Sequence, residues 1–175
     1  ALKERYPFPW VSMHSDNDSA FINGHLYRYS QKEALTFSRS RPYEKNDNFL
    51  VEQKNGRVVR RTIGYRRHDT TEELIILNRL YHDISLYQNF FQPVAKLKEK
   101  KRIGSTIKRT FEKPTTPYQR VMGSRHVSKE KKQEITTLYA SLNPAALKRQ
   151  IDAQRDTLYQ AYRMKRQNVE HAQKV

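Results

Sequence analysis

The sequence predicts an α/β fold over residues 1–93, then a basic region over 94–127 and an α-helical hairpin over 128–175. Three observations carry this. Short apolar runs at 9–14 and 34–38 flank a segment with helical spacing at 21–30, the order of a strand–helix–strand unit. A long helical stripe opens at Thr70 and is stopped by Pro93. Beyond it the chain turns basic, and then helical again from Ser128.

Taken in order, residues 1–8 read as a helix end and turn closed by Pro7 and Pro9, and Pro9-Trp10-Val11-Ser12-Met13 as a strand. Phe21, Leu26 and Tyr27 suggest a short helix, and Ala34 to Ser38 alternates as a strand does. Arg39 to Lys45 is a polar loop leading to a helix around Glu52, which Gly56 is expected to end or interrupt. Thr70 and Glu73 form a capping box, each satisfying an otherwise unpaired backbone donor. Leu74, Leu77, Leu80, Tyr81, Ile84, Tyr87 and Phe91 then repeat at helical spacing and read as a core face.

Val94, Leu97, Ile103, Ile107 and Phe111 lie scattered among Lys, Arg and Thr, which fits either a small basic β-element or an extended arm. Lys113 to Arg120 carries two prolines and is expected to lack regular structure. Ser128 caps a helix bearing Ile135, Leu138, Tyr139 and Leu142. Asn143-Pro144 supplies a cap and an N1 proline for a second, longer helix lined by Leu147, Ile151, Leu158 and Tyr162. The two helices suit an antiparallel hairpin or a segment that pairs with a partner chain.

Composition narrows the function classes. The chain has no cysteine, which excludes disulfides and thiolate metal sites. No apolar run approaches the roughly 18 residues of a membrane span, and the first residues are not a secretion signal. A soluble cytoplasmic protein is expected, with no membrane partner. The net charge of +16 is unevenly spread. Residues 1–56 hold 8 Lys or Arg against 7 Asp or Glu, whereas residues 57–175 hold 26 against 11. A basic body attached to a nearly neutral, carboxylate-bearing segment is the footprint of a nucleic-acid binder, because neutralising phosphates supplies most non-specific affinity. The plain alternative is a solvated basic surface.

The chemistry-bearing words are His14-Ser15-Asp16-Asn17-Asp18-Ser19-Ala20-Phe21 and Asn46-Asp47-Asn48-Phe49-Leu50-Val51-Glu52-Gln53-Lys54-Asn55. Asp16 follows a strand-like run, and a carboxylate at a strand end is well placed to hold a metal ion. On a helix, Asn48 and Asn55 fall on or near the face of Glu52. Asp16 and Glu52 are separated by 35 residues.

These words resemble the second half of the D…D-x35-E signature of the retroviral integrase and transposase superfamily, and in particular the bacterial insertion-sequence transposases. Tyr87 to Pro93 is similar to the helix that closes their catalytic domain, and Thr116-Pro117-Tyr118-Gln119-Arg120 to a short word that follows it. The likeness covers about residues 1–122. It departs at Asp18, where the family has glycine, and at Ala20, where it has an acid. Aspartate tolerates turn conformations well, and Asp18 is expected to face solvent.

The resemblance implies the C-terminal part of a ribonuclease-H-like integrase core. It implies that Asp16 and Glu52 are catalytic acids holding Mg²⁺ or Mn²⁺ in a two-ion site that clamps the attacking and leaving oxygens of DNA strand transfer. It also implies DNA contacts from Lys54, Arg57, Arg60 and Arg61. Asn17, which orders the loop after Asp16, and Asn48 and Asn55 join them as DNA-binding candidates. His14 reads as structural. Only fifteen residues precede Asp16, so the first aspartate of the signature has no candidate. The two-ion site is therefore expected to be incomplete, and the chain alone inactive. The partners implied are transposon ends and target DNA, with a homo-oligomer of the full-length protein in the bacterial cytoplasm, at the nucleoid. Two other readings remain: a catalytically inactive nucleic-acid-binding remnant, and a basic adaptor that pairs through residues 128–171.

Overall fold

A computed structural model describes residues 8–15, 23–44, 47 and 55–172, with backbone alone at 55, 57 and 169–172. Helix and strand are mixed, and the chain forms two compact units, residues 1–65 and 66–175. The helix after Thr70, grouped by sequence with residues 1–93, thus folds with the C-terminal unit.

In the first unit, strand β1 (Ser12–Ser15) and strand β2 (Thr36–Arg39) pair in parallel, with Ser12 opposite Thr36 and Ser15 opposite Arg39. Helix α1 (Gly24–Lys32) makes the connection that parallel strands require. Asn23 caps it, its side chain accepting from the Leu26 amide at 2.9 Å. Ala34, expected within the second strand, instead has φ of 52°, a left-handed turn between α1 and β2. Leu35, just before β2, is buried.

The helix expected around Glu52 lies outside the described residues, and Gly56 follows it. Gly56 lies inside a wide π-helical turn (Asn55–Arg60) that runs into a short helix α2 (Arg61–Ile63). The stop falls at Gly64, whose φ of 74° suits glycine.

The second unit is built on helix α3 (Thr71–Phe91) and helix α6 (Pro144–Ala172). They pack antiparallel: Glu73 near the start of α3 meets Lys165 late in α6, and Asp83 accepts from Gln154 Nε2 at 2.8 Å. Leu80, Ile84, Leu147, Ile151 and Leu158 are buried. Leu74, expected in the core stripe, is 57% exposed. The long partner of α6 is α3 rather than the helix that precedes it, α5 (Lys129–Ser141). The Asn143 side chain still starts α6 as expected, accepting from the Ala145 and Ala146 amides at 3.0 Å.

Residues 94–127 contain an antiparallel hairpin of strands β3 (Leu97–Ile103) and β4 (Thr106–Phe111) and a helix α4 (Pro117–Gly123). The helix corrects the expectation for Lys113 to Arg120. Pro117 occupies the first turn, where a missing N–H costs nothing, and Thr116 with Gln119 completes a capping box. Tyr118 of α4 stacks on Tyr139 of α5 at 4.5 Å between centroids and lies 5.4 Å from Phe90 of α3, so an aromatic cluster ties the three helices together.

Glu73 is the most heavily committed polar group. Its side chain is 1% exposed and accepts from Lys165 Nζ at 2.9 and 3.1 Å, His68 Nδ1 at 2.9 Å, the Thr70 hydroxyl at 3.0 Å and the amides of Asp69 and Thr70. Burial opposes its ionisation, but the hydrogen bonds from Lys165, His68 and Thr70 outweigh burial and hold the carboxyl down at about 2. Lys165 also donates to Asp69 and to the Arg67 carbonyl, and lies over the Tyr162 ring.

Two stability predictions follow from this packing. Leu80→Ala is expected to cost about 3 kcal/mol, read from urea denaturation by far-ultraviolet circular dichroism. Glu73→Ala, which strands a buried partner set, is expected to cost about 3 kcal/mol. Because the folded carboxyl titrates below its usual value, its contribution is present above about pH 4.5 and is lost as pH falls toward about 2. Glu73→Gln should therefore flatten that acid limb, and an unchanged limb would contradict the network.

Candidate functional site

Ligand sites of parallel α/β sheets form beyond the carboxyl ends of the strands. In the first unit that edge is Ser15 of β1 and Arg39 of β2, and Asp16 is the next residue in the chain after Ser15. The edge is tied by short polar side chains. The Ser40 amide donates to the Ser15 carbonyl at 3.0 Å, and Ser40 is 2% exposed. His14 is spanned by two serines, with Nδ1 3.0 Å from Ser38 Oγ and Nε2 3.2 Å from Ser40 Oγ. One ring nitrogen is thereby engaged with β2 and the other with the residue that follows it.

Just past β2, Arg41 clamps Asp47. The backbone N–H and Nε both donate to Oδ2 at 3.0 Å, and one terminal guanidinium nitrogen donates to Oδ1 at 3.0 Å. The side-chain and backbone hydrogen bonds from Arg41 hold the Asp47 carboxyl down at about 2. A bidentate pair fixes orientation as well as charge. It pins residue 47, five positions before Glu52 in sequence, to the residue two positions beyond the end of β2. Sequence reasoning passed over this pair because Arg41 stood in a polar loop with no periodicity.

Asp16, Asn17, Asn48, Glu52 and Lys54 lie outside the described residues. Asn55 and Arg57 lie in the π-helical turn. Arg60 is exposed, its guanidinium 5.1 Å from the centre of the Tyr65 ring, and Arg61 beside it is also exposed. As neighbours on a helix, the two arginines point in different directions. Among the described residues, no group of three or more His, Asp or Glu could hold a metal ion. Again among the described residues, no helix is long and apolar enough to cross a membrane.

The chain is 44% identical over 115 residues, 66% of its length, to the uncharacterized protein y4rM of Sinorhizobium fredii (strain NBRC 101917 / NGR234). Those residues are 33% of that relative, so the chain spans about a third of its length. No protein-family model and no solved structure matches the chain.

Proposed function

We propose that this chain is part of a DNA strand-transfer protein of the transposase and integrase kind, with Asp16 and Glu52 as two of its catalytic acids. The observation that carries the reading is the parallel β1–α1–β2 unit, whose first strand ends one residue before Asp16. That is the position from which a carboxylate reaches beyond a sheet edge. The Arg41–Asp47 clamp adds to it by tying Asp47, a residue of the second chemistry-bearing word, close to the end of β2.

The donor set fits a hard divalent cation, since carboxylate oxygens are what Mg²⁺ and Mn²⁺ take and the chain offers no thiolate. When bound, such ions activate the attacking oxygen and neutralise the leaving one. The chain's own residues supply the rest. In this reading Asp16 and Glu52 would hold the ions, exposed Arg60 and Arg61 offer cations to the DNA backbone in two directions, and Asn17, Asn48, Lys54, Asn55 and Arg57 are further DNA-binding candidates. DNA, and a second copy of the full-length protein, are the partners.

A second reading, binding without chemistry, is favoured by the charge: residues 66–175 carry 23 Lys or Arg against 11 Asp or Glu. One experiment separates the two. Full-length protein is assayed for joining a 3′-hydroxyl oligonucleotide to plasmid DNA with Mg²⁺. Asp16→Asn and Glu52→Gln should each abolish joining while leaving gel-shift affinity for the oligonucleotide intact. Joining that survives both substitutions would sink the catalytic assignment, and binding with no joining by the unaltered protein would leave the second reading.

A further inference from the structure

The β3–β4 hairpin has no packing role that accounts for it. Every residue of both strands is exposed, and among the described elements neither strand packs broadly on anything but the other. An isolated two-stranded ribbon is marginal in water. This one also carries a self-imposed electrostatic cost. Lys100 stands directly opposite Arg109, and Lys101 opposite Lys108, so two successive rungs place like charges face to face. Lys101 has Glu99 at 3.3 Å, whereas no ion pair engages Lys100, Lys108 or Arg109 among the described residues. From Lys96 to Lys113, eight Lys or Arg face two Glu.

We infer that this ribbon is a DNA-binding element that enters a groove of the duplex and neutralises the phosphates on both walls. Three features point that way. Directly opposed residues share a face, so Lys101 and Lys108 lie on one side of the ribbon and Lys100 and Arg109 on the other. Cations on both faces suit a ribbon flanked by two phosphate strands; a membrane surface would call for one. A two-stranded ribbon has the width that the major groove admits. Its base is also fixed. Arg120 of α4 donates to Glu112 at 3.0 Å and to the Val94 carbonyl at 2.9 Å, and Val94 bridges Thr115. The tip turns tightly at Gly104, with φ of 60°, where Arg102 Nε donates to the Gly104 carbonyl. The like-charge rungs that weaken the free ribbon are relieved when phosphates lie against them.

This inference rests on the DNA partner of the reading above but on none of its chemistry. The test is fluorescence anisotropy of the full chain with a labelled duplex of mixed sequence, titrated over a series of salt concentrations. Lys100→Glu with Lys101→Glu converts both rungs into opposite-charge pairs, so the ribbon folds at least as well by circular dichroism. Affinity should nonetheless fall at least about tenfold, and the slope of log K against log salt should drop by about 2. Lys129→Glu with Arg149→Glu, on exposed helical positions, makes the same change in net charge and should leave the slope nearly unchanged. Lys100→Gln with Arg109→Gln, a milder change, should lower the slope in the same direction. Ribbon variants that bind like the helical control would overturn the inference while leaving DNA as the partner. No duplex binding by the unaltered chain would overturn the DNA partner as well. Tighter binding to phosphatidylserine vesicles than to the duplex, lost in the ribbon variants, would also overturn the inference and make the ribbon a lipid-surface element.

Discussion

The second unit depends on one buried carboxylate. Glu73 caps the start of α3, and its remaining oxygen capacity is filled by His68 and by Lys165, 92 residues further along the chain. A buried carboxylate with this many donors stays ionised, and its charge fixes how far along α3 the partner helix lies. Apolar burial by Leu80 and Leu158 is strong but indifferent to small slips in register. The Glu73–Lys165 contact is not, because sliding α6 by one turn would leave a charge without a partner in a dry site. The network thus supplies a register to a core that is modest in size, and the aromatic cluster around Tyr118 and Tyr139 then locks α4 and α5 onto the far end of α3.

Much of this was legible locally. The capping box at Thr70, the caps at Ser128 and Asn143, and the apolar spacing of α6 are all short-range signals, and each corresponds to an element end or buried face. What was not legible was pairing. The apolar stripes of α3 and α6 are each clear, but nothing within either names the other as its partner, so α5 was the natural choice for α6. Leu74 fits the helical period yet is exposed, because at the start of α3 the buried position turned to α6 is Glu73 and Leu74 lies about 100° further round the helix. Lys113 to Arg120 misled for a related reason: two prolines argue against structure until one of them falls at the first position of a capped helix. At the candidate site, the strand before Asp16 could be read from its apolar run and the second strand from alternation, though not their parallel pairing. The Arg41–Asp47 clamp could not, since an ion pair leaves no periodic trace.

The two units divide the labour that the proposed function needs. The first, with 11 Lys or Arg against 7 Asp or Glu, has a parallel strand that ends one residue before Asp16 in the sequence. The second is strongly basic and, Lys165 apart, carries most of its cations at the surface, partly on a ribbon that is marginal by itself. Chemistry on a phosphodiester requires both features, an acidic centre that holds cations and a basic surface that holds the polyanion without quenching that centre.

The central claim is that Asp16 and Glu52 meet at the carboxyl end of β1. A crystal structure of the chain soaked in Mn²⁺ tests it most directly. One ion bound by both carboxylates, beside Ser15 and Arg39, is the result expected. Carboxylates too far apart to share an ion, with manganese absent or bound elsewhere, would contradict it.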